Sequence, residues 1–235
     1  MAKISAIVLV GGRIDEELLK KCLDSISWAD EVIKVETKDL PGSFADWRNE
    51  GAKRAKGDWL LYVDSDETIT PELKKAILKV TNSSEFAAYA IPRRNFIFGK
   101  EFKHGGTWPD YWIRLIKKDK LIRWEGDLHE QPKVKGAIFH LKEPVIHNKH
   151  KDLSGMVEKT NKWSEIEARL MFEAGHPEMN VIRFASVAAR EFWKRMITQT
   201  AFLDGTEGII YAIYQVFSRL ISYSKLWEMQ IKKKQ

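Results

Sequence analysis

A single cysteine, Cys22, stands among the 235 residues, which excludes an intrachain disulfide and fits a reduced compartment. No apolar run reaches the roughly 18 residues expected of a bilayer span. The opening "MAKISAIVLVGG" lacks a small-residue cleavage site, so it reads as a first strand rather than a leader. Internal repeats and low-complexity tracts are also missing, apart from the basic run Lys232, Lys233, Lys234. Acid excess is absent too. Residues 131–235 carry 17 basic and 11 acidic side chains, leaving 22 of each before them out of 39 Lys+Arg and 33 Asp+Glu. The net charge of +6 therefore lies wholly in the C-terminal part and suggests an anionic partner there, phosphate headgroup or nucleic acid. What the chain does have is core: 44% hydrophobic and 11% aromatic residues, enough for one sizeable domain or a domain with an appendage.

The first 80 residues alternate strand and helix patterns. "KISAIVLV" is a continuous apolar run ending at Gly11 and Gly12, as in a buried parallel strand. "DEELLKKCLDSI" has helical spacing with acids at its start. "EVIKV" predicts a second strand ending at Glu36, and "SFADWRNEGAKRAKG" a loop and helix stopped by Gly57. "DWLLYV" predicts a third strand, and "TPELKKAILKV" a helix with Thr70 as N-cap and Pro71 at its first position. Such alternation predicts an α/β fold with a mostly parallel, Rossmann-like sheet flanked by helices, whose ligands bind beyond the carboxyl ends of the strands. From about residue 86 the pieces become short and β-rich; from about 152 the pattern is helical. Two regions follow: 1–151 as the catalytic domain and 152–235 as a helical C-terminal appendage.

Two aspartates one residue apart, Asp64 and Asp66 around Ser65, close the third strand. Hard divalent cations favour one or two such carboxylates plus the substrate's phosphates; a plain helix-capping role for the same acids is the alternative. "RWEGDLHEQP" gathers Trp124, Glu125, Asp127, His129 and Glu130 in one stretch, suited either to a shielded general base or to a polar turn. "VIHNKH" places His147 and His150 after an apolar strand, where neutral imidazole can ligate a metal or simply serve the structure.

Together, "KGDWLLYVDSDE", "DWRNEGAKRA", "PDYWIRLIKKDKLIRWEGDLHE" and "FLDGTEGIIYAIYQVFSRLISYSKLWE" resemble the family 2 glycosyltransferases of GT-A-type fold, and within them the bacterial lipopolysaccharide-core and cell-envelope subgroup. The resemblance covers almost the whole chain. It implies inverting transfer of a sugar from a nucleotide donor with Mn²⁺ or Mg²⁺. Asp64 and Asp66 match the Asp-x-Asp motif, with Asp66, Asp64 and His147 as the metal set. Glu130 matches the base, with Asp127 beside it. Gly11, Glu36, Asp46, Arg48, Asn49, Asp64, Ser65 and Asp66 fall in the donor pocket. Trp124, His129 and Asp110 fall on the acceptor side or its loop. The segment "VETKDLPGSFAD" departs from the family's usual "VDSGSTD", and Gly11-Gly12 replace the usual polar residues, so the nucleotide base stays open.

The tail "GIIYAIYQVFSRLISYSKLW" is amphipathic, with polar positions 215, 218, 219, 222 and 225 grouped. With Arg219, Lys225 and the final lysines it predicts either docking on an anionic membrane or packing on the catalytic domain or a second subunit. The resemblance implies a nucleotide-sugar donor and a lipid-linked or glycan acceptor, and the tail fits a cytoplasmic, membrane-peripheral setting; nucleic acid is disfavoured, since no recognised module is apparent. Competing readings are a nucleotidyltransferase, poorly matched by Gly11-Gly12-Arg13, and a catalytically silent nucleotide-sugar or membrane-binding module.

Overall fold

The structure, a computed structural model, describes residues 2–11, 15–38, 40–83, 85–126 and 130–233. Asp127 and His129 lie outside the described residues. Two compact units are formed, Met1–Asn95 with Pro109–Lys149, and Phe96–Trp108 with His150–Gln235.

The first unit begins with β1 (Ile4–Val10), buried at every position, because a central strand packs on both faces. It then runs α1 (Glu16–Ile26), β2 (Glu31–Glu36), α2 (Phe44–Arg54), β3 (Trp59–Asp64), β4 (Glu67–Ile69) and α3 (Pro71–Ser83). The strands β5 (Ala88–Ile97), β6 (Lys100–Glu101), β7 (Asp110–Lys117), β8 (Leu121–Glu125), β9 (Gln131–Val134), β10 (Ile138–His140) and β11 (Val145–His150) follow. β6 and the last residues of β5 and β11 belong to the second unit.

The main sheet has the order β2-β1-β3-β7-β5-β11-β4, and β8 pairs with β9 in a separate ribbon. β1 is parallel to both β2 and β3, as the alternation of strand and helix requires, while β7 joins β3 antiparallel. The fold is thus the expected α/β sheet with flanking helices, and its register aligns Val10 with Glu36 and Leu9 with Asp64 at one edge.

Local chemistry sets the helix positions. Asp15 caps α1 by accepting from Glu17 and Leu18 N–H, and Ser43 and Asp46 form a reciprocal capping box on α2. Thr70 Oγ1 accepts from Leu73 N–H, and Pro71 opens α3 as the spacing predicts. Gly51 lets α2 lie against β1, since a Cβ there would sit 2.4 Å from Ile7 Cγ2. Two apolar layers enclose the sheet. One gathers Ile4, Val8, Cys22, Ile26, Leu61, Leu73 and Ile77; the other gathers Ile7, Val35, Leu60, Tyr62 and Trp124. The stretch after Asp64 does not pass straight into a helix: Glu67–Ile69 first pairs antiparallel with β11, setting Glu67 opposite His147.

The second unit contains α4 (Leu153–Glu173), α5 (Val181–Trp193) and α6 (Gly205–Lys232), with short helical turns at 194–198 and 201–204. Asp204 ties this unit's loop to the turn before α6: its carboxylate accepts from Lys103 and His104 N–H and contacts His104 Nδ1 at 2.9 Å. Gly208 permits close approach of Ala201 O, 2.0 Å from where a Cβ would stand. The "FLDGTEG" motif therefore serves packing.

Helix α6 turns its polar positions inward. Ser218 Oγ contacts Thr160 Oγ1 at 3.1 Å, Ser222 Oγ donates to Glu167 Oε2 at 2.6 Å, Arg219 pairs with Glu167, and Lys225 donates to Asn161 Oδ1 at 3.0 Å. The polar side of the amphipathic pattern therefore packs on α4. The polar stripe of α4 receives it, while Ile209, Ile210, Ile213 and Phe217 are exposed.

Candidate active site

Asp64 ends β3 inside a cage of arginines. Its Oδ1 accepts from Arg48 Nη2 at 2.8 Å, and its Oδ2 accepts from Arg93 Nη2 at 2.6 Å and from Arg114 Nη2. Glu67 Oε1 takes Arg93 Nε at 2.6 Å and Arg114 Nη2 at 3.2 Å, while its Oε2 accepts the Asp64 N–H at 2.9 Å. Arg48 reaches on to Glu130, with Nε 2.9 Å from Oε1. Three acids, Asp64, Glu67 and Glu130, thus face three arginines, 48, 93 and 114, and the cluster is charge-balanced.

Burial alone would raise the Asp64 carboxyl, but Arg114, Arg48 and Arg93 outweigh it and hold it well below the ordinary carboxylate range. Arg114 is buried, which by itself would lower its pKa, yet Asp64 and Glu67 drive it upward. The Cys22 thiol, buried with Sγ 3.4 Å from Asp64 O, is pushed up to about 12 by burial first and then by Glu67, Asp64 and Asp66. It is no nucleophile at neutral pH.

The arginines are held by aromatic rings. Arg48 Cζ lies 5.0 Å from the Trp124 ring centroid, and Arg93 Cζ lies 4.6 Å from that of Trp112. Trp124 is itself packed edge-on against Tyr62. Asn49 clamps the backbone of Trp124 at both ends, donating to its carbonyl at 3.0 Å and accepting its N–H at 2.8 Å.

A second chain of contacts leads to Asp66. Asp110 accepts from Trp112 Nε1 at 2.8 Å and from Asn95 Nδ2 at 3.3 Å. Because Asn95 presents its amide nitrogen to Asp110, its Oδ1 is the atom 2.7 Å from His147 Nδ1. An acceptor there makes Nδ1 the protonated nitrogen and leaves a lone pair on Nε2. Nε2 in turn lies 3.6 Å from Asp66 Oδ2. A lone pair facing a carboxylate calls for a proton or a cation between them. His147 is buried, whereas Asp66 is about a third exposed on its side chain.

Several expected site residues are brought together here: Arg48, Asn49, Asp64, Asp66, Trp124 and Glu130, with Asp110 and His147 on the second chain. Others sit differently. Asp46 is engaged in the α2 capping box, accepting Ser43 N–H at 2.8 Å. Gly11 lies where a Cβ would be 1.8 Å from Thr37 Oγ1, so a side chain there would have to displace the Thr37 hydroxyl beside the end of β2. Glu36 is exposed at that strand's end, and Ser65 occupies the turn. Arg93, Arg114 and Asn95 were not anticipated. Their signal was a charged or amide side chain inside otherwise apolar strand patterns.

Among the described residues no three His, Cys, Asp or Glu side chains gather as a metal cage. One or two carboxylates with the rest left to phosphate and water is the habit of Mg²⁺-type sites, which Asp66 meets, while the imidazole of His147 beside it suits Mn²⁺ better than Mg²⁺. Asp64 fits poorly, since both its oxygens are already taken by guanidinium groups.

Residues 16–137 match the model of the glycosyl transferase family 2, more than half of the chain. This chain belongs to glycosyl transferase family 2. An uncharacterized glycosyltransferase of Rickettsia bellii (strain RML369-C) is 22% identical over 97% of the chain and 87% of its own length. Among solved structures, S. aureus TarS aligns at 13% identity over 92% of this chain and about half, 49%, of its own, with a TM-score of 0.41. S. aureus TarS 1-349 in complex with UDP-GlcNAc aligns at 14% identity over 99% of this chain and 92% of its own, with a TM-score of 0.43. The family model spans α1 to β9, and so contains Arg48, Asp64, Asp66 and Glu130.

Proposed function

We propose that this family 2 glycosyltransferase is metal-dependent and inverting, and that it moves a sugar from a nucleoside-diphosphate donor to a hydroxyl of a lipid-linked or cell-envelope glycan acceptor. The carrying observation is the Asp66–His147 pair, in which Nε2 of an imidazole whose Nδ1 meets Asn95 Oδ1 lies 3.6 Å from a carboxylate at the ligand edge of the sheet. Mn²⁺ or Mg²⁺ held by these two side chains would supply Lewis-acid compensation for charge growing on the diphosphate leaving group.

The protein's own residues do the rest. Arg48 spans Asp64 and Glu130, so one guanidinium fixes the end of β3 relative to the base. With Glu130 Oε1 held by Arg48, the other carboxylate oxygen takes the acceptor's proton as the hydroxyl attacks. One displacement on the face opposite the leaving group inverts the anomeric carbon, and no enzyme nucleophile is needed. Asp64 acts as the anchor of the arginine cage, which sets the floor against which the diphosphate lies. Among the described residues no helix is long and apolar enough to cross a membrane; the working place is the inner face of the cytoplasmic membrane, reached by peripheral association.

A thermal-shift panel of UDP, GDP, CDP, dTDP and ADP, each with and without Mn²⁺, tests the donor site. A ligand binding only the native state raises stability by about RT ln(1 + [L]/Kd). One nucleotide should shift wild type in a Mn²⁺-dependent way and fail to shift Asp66→Ala. Equal shifts in both proteins, or none with any nucleotide, contradict the reading.

A further inference from the structure

Helix α5 is fastened by one side only. Among its described residues Val187 alone is fully buried, and Phe184 packs partly against Ala168, Met179 and Leu226. The opposite side carries Val181, Ile182, Ala185, Ala189, Phe192 and Trp193, all exposed. Val181 is 83% exposed, Ile182 80% and Trp193 63%. The i, i+4, i+8 and i+11 spacing of 181, 185, 189 and 192 makes this one continuous face of the helix. A soluble domain seldom leaves branched and aromatic side chains so bare in a row.

Charge says what covers it. Residues 181–198 contain Arg183, Arg190, Lys194 and Arg195 against the single acid Glu191. Glu191 is taken by Arg195 at 2.7 Å, and Arg195 also donates to Gly105 O at 2.8 Å. Arg183, Arg190 and Lys194 are exposed, make no ion pair among the described residues, and fall on the helix arc bordering the apolar face. A second copy of the chain would bring this same basic border against itself with no acid on α5 left to meet it, which a two-fold contact penalises. An anionic bilayer satisfies both halves of the pattern: headgroups meet the cations and acyl chains receive the apolar face.

We infer that α5 is the element that docks this glycosyltransferase on anionic phospholipid, lying in the interface plane with Val181, Ile182, Phe192 and Trp193 inserted and Arg183, Arg190 and Lys194 at headgroup level. The inference deepens the peripheral association proposed above and moves it away from the C-terminal helix. Two cations of α6, Arg219 and Lys225, are committed inward to Glu167 and Asn161, which leaves only Lys232 exposed at the end of that helix among its described residues.

The test is co-sedimentation with vesicles of pure phosphatidylcholine and of phosphatidylcholine containing about a quarter phosphatidylglycerol. Four proteins are compared: wild type, Ile182→Asp with Trp193→Asp, the triple variant Arg183→Glu, Arg190→Glu and Lys194→Glu, and Ile213→Asp on α6. Wild type should bind the anionic vesicles only, and more weakly as salt rises. The apolar double variant should lose binding, and the charge reversal should weaken it on the order of 100-fold. Both should keep the wild-type thermal midpoint and the Mn²⁺-dependent nucleotide shift, because the substituted positions are exposed and lie in the other unit; this separates failure of the docking idea from failure of the donor site. Should a variant fold poorly, wild type with brominated acyl chains gives a second reading, since Trp193→Phe should remove part of the fluorescence quenching. No binding to anionic vesicles, binding unchanged by the α5 variants but lost in Ile213→Asp, or a wild-type dimer in light scattering that the double variant dissolves, would each overturn the inference.

Discussion

Replacing Arg114 by glutamine tests whether the arginine cage is a structural necessity. Arg114 is 3% exposed on its side chain and serves Asp64 and Glu67 through one nitrogen; Glu67 is 1% exposed. Removing it leaves three acids against Arg48 and Arg93. Breaking a buried pair from one side costs about 3–5 kcal/mol. Arg93 still contacts both carboxylates at 2.6 Å, which places the expected loss near the lower end, about 3 kcal/mol. In a chain of this size each kcal/mol moves the midpoint by about 2–4 °C, so circular dichroism at neutral pH should record a fall of about 6–12 °C. The exposed pair Lys20–Asp24, 77% and 64% accessible, is the control: Lys20→Gln should change the midpoint by less than about 2 °C. Adding Glu67→Gln to Arg114→Gln should recover part of the loss by removing the uncompensated charge. A midpoint for Arg114→Gln within the range of the Lys20 control would refute the cage.

Other consequences follow from the same geometry. Glu130→Gln should lower kcat for transfer by about 10²–10⁴-fold while leaving the nucleotide thermal shift intact, since it removes a proton acceptor and not a donor contact. Asn95→Leu should weaken Mn²⁺ binding by about 10–100-fold without touching a ligand, because the tautomer of His147 is no longer set; isothermal titration reads this directly. Acid titration probes Asp64: its folded carboxyl is held below the ordinary range, so its contribution is present above the unfolded value near 3.9 and is lost as pH falls through the depressed folded value. Asp64→Asn should therefore be less stable than wild type at neutral pH, with the gap narrowing as pH drops below about 4. Gly208→Ala should destabilise by about 1–3 kcal/mol or more, since its Cβ would strike a backbone carbonyl that cannot swing away.

Much of the fold was legible. Apolar runs ending in glycine and acid marked β1 and β3, and Thr70-Pro71 marked the start of α3, because these signals are local in the chain. The place of Asp64 and Asp66 at a strand edge could be read for the same reason. Their partners could not. Arg93 and Arg114 reach Asp64 from β5 and β7, 29 and 50 residues away, through antiparallel pairings that no periodicity announces. Reading the acids alone, one supplies the missing positive charge with a cation; the structure supplies most of it with guanidinium groups. The orientation of α6 was hidden for a related reason. An amphipathic pattern identifies two faces but not which is buried, and here a polar stripe on α4 takes the polar one. The exposed face of α5 is not legible in the sequence because Val181 to Trp193 also reads as an ordinary core helix.

In the proposed site Asp66 and His147 would hold the divalent ion, while Asp64 belongs to the arginines. Electron paramagnetic resonance of free Mn²⁺, titrated with protein in the presence of the nucleotide found by thermal shift, tests this assignment directly. Asp66→Asn and His147→Ala should each release the ion to solution, whereas folded Asp64→Asn should retain it with affinity within about threefold of wild type, its charge being spent on the arginines. Loss of Mn²⁺ binding in Asp64→Asn as complete as in Asp66→Asn, with native circular dichroism in both, would contradict the account.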